Sequence, residues 1–177
     1  MKWEQPNWPR FLPSNAVISV ATLGKVGQSL PAPGTWGSVA GLLYYIVCFW
    51  DRGLIFNLIL SAIGLYLAVG FCGEAEFRMG KKDPGEVILD EFVAMPLCFL
   101  GWPHLVGGPL PAWAILITGF LLFRFFDILK PLGISRVQHL NAGWGIVVDD
   151  TLAALAACLV MHGGLWIYAA TSHPVAG

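Results

Sequence analysis

The chain has 177 residues, 56% of them hydrophobic and only 12% charged, with a formal net charge of −1 at pH 7. Soluble globular chains carry about 25% charged residues, so this composition excludes an ordinary soluble domain and points to a membrane. Ten basic residues against eleven acidic ones leave no basic footprint, and no nucleic-acid partner is expected.

The expectation is a single domain over 1–177. Its opening segment, 1–31, is polar and amphipathic: Trp3, Trp8 and Phe11 stand among Lys2, Glu4 and Arg10, the pattern of an interfacial anchor or of a frayed tail. No cleavable leader is recognisable.

Next comes "PAPGTWGSVAGL", a loop entering a helix. Gly34 and Gly37 permit unusual backbone angles, and Thr35 or Ser38 can cap the helix. A Gly-rich loop at a helix start also makes a phosphate cradle; plain capping explains the same residues. The apolar run that follows, Ser38–Trp50, has only 13 residues, a short span or a re-entrant piece. Gly53–Gly73 runs 21 residues without a charge, enough to cross a bilayer core of about 30 Å.

The third apolar run, 87–102, is preceded by "KKDPGEVILDE". Asp83–Pro84 reads as a helix start, Asp at the cap and Pro at the first helical position. On that reading Glu86 and Asp90 share a face and Glu91 is turned about 100° away. Asp90 and Glu91 lie too deep to be solvated surface. Burying a carboxylate costs several kcal/mol unless it is compensated, so they either pair with Arg124 or Lys130 or do metal or catalytic work.

The fourth run, 111–129, ends in "FRFFDILKP". Arg124 and Asp127 are three apart on one face, with Lys130 one turn on and Pro131 as the stop. A guanidinium and an ammonium beside a carboxylate suit a phosphate bound with a divalent cation. The alternative, an intrahelical ion pair, is worth only tenths of a kcal/mol when exposed.

The fifth run, 146–170, starts in "NAGWGIVVDDTLAALAA". Asp149 and Asp150 are expected at the helix N-terminus, which favours acids. Ala153, Ala154, Ala156 and Ala157 allow close helix approach, and Gly163–Gly164 is a candidate break. Cys48, Cys72, Cys98 and Cys158 lie in apolar runs without ligand spacing and read as small core residues. His104, His162 and His173 are isolated; His139 is either a proton-transfer helper or an idle loop residue.

The fold class is therefore all-α: a polytopic helical membrane protein with four to five membrane-embedded helices. If all five runs cross, nine of the ten Lys and Arg residues share one side and Arg52 alone is opposite, which makes the shared side cytoplasmic. Ten of the eleven acids fall there too. Asp90 and Glu91, Asp127, and Asp149 and Asp150 would then meet at one depth, a polar site at the cytoplasmic face.

In this order the four pieces "PAPGTWGSVAGL", "DPGEVILDEFVAM", "FRFFDILKP" and "AGWGIVVDDTLAAL" resemble the bacterial phosphatidylglycerophosphatase A family, over about Ala32 to Ala157. The resemblance implies a multi-pass enzyme of the bacterial inner membrane. Such an enzyme removes the terminal phosphate of a lipid substrate, phosphatidylglycerol phosphate, to give phosphatidylglycerol in phospholipid biosynthesis. It also implies Mg2+ as cofactor. The family's polar motifs fall on Asp83, Asp90, Glu91, Arg124, Asp127, Lys130, Asp149 and Asp150. On that reading Asp90, Glu91, Arg124, Asp127 and Lys130 are catalytic, and Asp83, Asp90, Glu91, Asp127, Asp149 and Asp150 hold the metal. Gly34, Thr35, Gly37, Ser38, Arg124 and Lys130 bind phosphate. Attack by water or directly by an Asp both remain open. The chain departs from the family's usual residues at Ala94, Ala154, Leu132 and Gly133, which are packing or loop positions.

Motifs of other lipid-phosphate enzymes are absent. A small membrane transporter or ion-binding protein with a carboxylate cluster is the alternative; it would want acids near mid-membrane. The oligomeric state is left open.

Overall fold

The computed structural model describes residues 4–106, 108, 110–131, 140 and 143–172. Among these residues every regular element is helical. A 3-10 turn, Trp8–Phe11, leads to α1 (Ser14–Ala21), α2 (Lys25–Ser29), α3 (Pro33–Cys48) and α4 (Leu54–Met79). Then come α5 (Leu89–Ala94), a 3-10 turn over Met95–Phe99, α6 (Trp102–Val106), α7 (Ala112–Leu129) and α8 (Gly143–Ser172).

Three of these, α4, α7 and α8, are long and apolar enough to cross a membrane. At 1.5 Å per residue the 26 residues of α4 reach about 39 Å. Ile55, Ile59, Trp113, Leu121, Leu159 and Trp166 point outward and are exposed. Outside the bundle such a band is stable only against lipid. α8 is the central post. Its stripe of Ala153, Ala154 and Ala157 is fully buried, and it packs against both α4 and α7. The Gly163–Gly164 pair does not break it. A helix in lipid has no water to satisfy freed backbone groups, so continuity is favoured over a glycine's weak propensity.

The third apolar run is where the helix does break. Pro96 has no N–H for the Phe92 carbonyl four residues back, and α5 gives way to the 3-10 turn. Gly41 of α3 sits against that break. A Cβ at 41 would lie 2.7 Å from both the Phe92 oxygen and Met95 Cβ. The turn ends at Leu100 and Gly101, the latter at φ +74°. Its Leu100 carbonyl is bonded by Nε2 of His162 on α8 (2.8 Å). His162, which offered no sequence signal, therefore closes an orphan carbonyl at a helix end.

Tyr45, Phe49, Phe99, Trp102 and Phe123 form the main core, and Val17, Ala21, Ala68, Val69 and Val87 form a second. The second core shows that the N-terminal segment is more than an interfacial anchor. α1 buries Val17 and Ala21, and Trp8 meets Phe71 edge-on at 5.0 Å. Gln5 donates to the Val69 carbonyl (2.7 Å) and accepts from the Gly143 N–H (3.2 Å). Arg78 pairs with buried Glu74 at 2.8 Å and donates to the carbonyls of Pro9, Arg10 and Leu12. Residues 4–21 are thus a strap across α4, while α2 packs on α3. Phe11 still projects outward, 89% exposed.

Successive runs alternate in direction. The starts of α3, α5 and α8 and the ends of α4 and α7 come to one end of the bundle.

Candidate active site

At that end lies a cavity of about 440 Å³ lined by seven carboxylates and two cations, with backbone from two loops. Asp83, Asp90, Glu91, Arg124, Asp127, Lys130, Asp149, Asp150, Gly34 and Thr35 all line it. Gly37 and Ser38 lie just behind, buried in α3.

Arg124 is the hub. One of its nitrogens, Nη1, donates to Asp127 Oδ2 (2.7 Å), Glu91 Oε1 (3.0 Å) and Ser38 Oγ (3.2 Å). These acceptors come from α7, α5 and α3. Among the described residues Nη2 and Nε have no partner. Lys130 takes the left-handed cap of α7 at φ 43°, and from there its ammonium pairs with Asp149 of α8. Burial works against the Lys130 charge; the Asp149 bond and the charges of Asp149, Asp150 and Asp127 together outweigh it and raise its pKa. The ion pairs read from the sequence as an alternative are therefore real for Glu91 and Asp127, and the Lys130–Asp149 pair is one the sequence did not suggest.

They do not satisfy every acid. Asp90 Oδ1, Glu91 Oε2 and Asp150 Oδ2 are buried and accept no hydrogen bond from the described residues. Asp90 and Glu91 sit on α5, outside the three spanning helices. Burial, with the neighbouring Glu91 charge, raises Asp90 well above the carboxylate range. Burial also pushes Glu91 up to about 7 against the opposing pull of Arg124.

Three local expectations are corrected. Asp83 does not cap a helix. It adopts φ 48°, the loop turns through a bond from Val87 N–H to the Pro84 carbonyl (2.9 Å), and α5 starts six residues later, at Leu89. Glu86 consequently shares no helix face with Asp90. It points out to Lys81 (3.0 Å), whose hydrogen bond lowers its pKa. Asp149 and Asp150 are not at a helix N-terminus either: α8 begins at Gly143, so they lie nearly two turns in, 4% and 3% exposed. The helix-dipole account of that pair fails with the distance.

The glycine loop also differs in detail. No side chain caps α3. Pro33 enters as its first residue behind Ala32, which is left-handed at φ 52°. The close approach that Gly34 and Gly37 permit is that of the Glu91 carboxylate, which a Cβ at either position would overlap. Ala32, Asp83 and Lys130, three of the five non-glycine residues with positive φ among the described residues, all line the cavity. Such backbone strain gathers at functional sites, and no Gly or Asn marked it in the sequence. His139 and His173 lie outside the described residues.

The donor set is all oxygen, with an excess of negative charge and three bare buried atoms, which suits a hard divalent cation. Among the described residues no three Asp, Glu, His or Cys side chains are already close enough to hold one.

Fold and site together define a helical membrane protein with a charged, acid-rich pocket at one end of its bundle. A model of the phosphatidylglycerophosphatase A family matches residues 19–165. The chain belongs to the phosphatidylglycerophosphatase A family, a family of phosphatases. It is 38% identical to "Phosphatidylglycerophosphatase A" of Haemophilus influenzae over 74% of this chain and 77% of that one. It is 28% identical to the Escherichia coli K12 protein of the same name, over 77% and 76%. A Bacteroides thetaiotaomicron protein provisionally named a phosphatidylinositol-3-phosphatase is 30% identical over 90% of this chain and 97% of its own. No solved structure matches the chain.

Proposed function

We propose that this protein hydrolyses phosphatidylglycerol phosphate to phosphatidylglycerol and phosphate, using Mg2+. The observation that carries this reading is the combination in one cavity of a held arginine with two unpartnered nitrogens and three bare buried carboxylate oxygens. The first fits the oxygens of a phosphate monoester. The second fits a divalent cation.

Asp90, Glu91 and Asp150, whose oxygens are bare, would hold the ion, with Asp83, Asp127 and Asp149 within the same cavity. When bound, Mg2+ supplies charge neutralisation at the phosphate. Arg124 would grip phosphate oxygens through Nη2 and Nε. Lys130 would add a second positive charge from the neighbouring helix end, and Thr35 and the backbone at Gly34 would border the headgroup. Little covalent work is required of the protein in phosphoryl transfer; position and charge carry it. The acyl chains would stay in lipid. The polar end faces the cytoplasm of a bacterial inner membrane on this reading, because seven of the eight described basic residues, all but Arg52, lie at that end or in its loops.

Purified protein should release phosphate from phosphatidylglycerol phosphate in detergent when Mg2+ is present, and far less after chelation. Asp127→Ala and Glu91→Ala should each lose at least about 100-fold, since misplacing one group of such a site costs that much. Full activity in both variants would defeat the assignment. Phosphatidylinositol 3-phosphate belongs in the same assay, because the Bacteroides relative's name makes it the rival substrate.

A further inference from the structure

Ser38 is fully buried in α3, behind the cavity rather than on its wall. Its single hydroxyl hydrogen is committed: Oγ donates to the Gly34 carbonyl one turn back, at 2.9 Å. That leaves only lone pairs, and they receive Arg124 Nη1 at 3.2 Å. A phosphate offers acceptors and no donor at its ionised oxygens, so a hydroxyl already spent within its own helix makes a poor phosphate ligand. A serine that back-bonds to the preceding turn is held in one rotamer, which fixes where its lone pairs point.

We propose that Ser38 is a positioning residue for Arg124. It acts as the uncharged third point of an anchor whose other two points are Glu91 and Asp127. Nη1 has two hydrogens for three acceptors, so the Ser38 bond shares one of them with a carboxylate; coming from a third helix, it braces the guanidinium so that Nη2 and Nε face the cavity. The inference rests on the phosphatase reading for its kinetic consequence and on the geometry alone for the anchor.

Two measurements test it, both on the full chain in detergent. The first is a double-substitution cycle with Ser38→Ala and Arg124→Lys, which keeps the positive charge and removes the fork. Ser38→Ala should lower kcat/KM about tenfold, the size of losing one hydrogen bond to a charged group. Ser38→Thr, which keeps the hydroxyl, should recover most of that. In the Arg124→Lys background Ser38→Ala should change activity by less than about twofold, because coupled groups are not additive. An undiminished tenfold loss in that background makes Ser38 an independent phosphate ligand and overturns the proposal, as does full activity of Ser38→Ala.

The second needs no turnover. Phenylglyoxal modification of Arg124, followed by mass spectrometry, should run several-fold faster in Ser38→Ala than in the unaltered protein, and an unchanged rate overturns the anchor. If the unaltered protein releases no phosphate from any lipid phosphate, the phosphatase reading falls, and the labelling still decides the role of Ser38.

Discussion

At the scale of single residues, the site is held by contacts that leave no room for side chains. Gly37 is the clearest case. A Cβ there would lie 2.9 Å from Ile88 Cβ and would press on the Glu91 carboxylate, which is itself bonded to Arg124. Gly37→Ala should therefore shift Glu91 and cost activity on the order of 100-fold while the protein still extracts and purifies normally; phosphate release compared with elution volume checks it. The sequence displayed the polar residues of this pocket well, because a carboxylate inside an apolar run has to be explained. It did not display how they divide the work. Asp127 and Glu91 both pair with Arg124, whereas one oxygen each of Asp90, Asp150 and Glu91 has no partner among the described residues. That division depends on which helices touch. The left-handed Ala32, Asp83 and Lys130 were equally hidden, since their conformation is imposed by the packing and not by their own preference.

At the scale of elements, periodicity and length located the three spanning helices but misjudged their punctuation. Pro84 looked like a helix start and is a turn, while Pro96 looked unremarkable and ends α5. Gly163–Gly164 looked like a break and is mid-helix. A Cβ at either glycine meets nothing within 4 Å, so Gly163→Ala and Gly164→Ala should be neutral or should stabilise by about 0.5–1 kcal/mol each; a thermal melt in detergent reads the direction. The strap makes the opposite prediction. Arg78 and Glu74 are 13% and 7% exposed at the side chain. Removing one partner of a buried pair costs about 3–5 kcal/mol. Arg78→Ala should lower the melting temperature sharply, while Lys81→Ala, whose pair with Glu86 is at the surface, should barely move it.

At the scale of the whole molecule, alternating runs put nearly all the charge at one end and leave an apolar belt below it. This arrangement was the most legible property of the sequence, because it follows from counting charges between hydrophobic runs. It predicts sidedness. In a background without the native cysteines, Lys82→Cys should react with an impermeant thiol reagent only from the cytoplasmic face of the inner membrane, and Asp51→Cys only from the other; labelling of both from one face would refute the arrangement. The strap was not legible, because its contacts join residues such as Gln5 and Val69 that no local pattern connects.

That strap also orders events in time. Gln5 donates to the carbonyls of Val69 and Gly70 on α4 and accepts from the Gly143 N–H, and Gly143 is made more than a hundred residues after Gln5. The strap can therefore fasten to α4 early, while its bond to Gly143 must wait until α8 arrives.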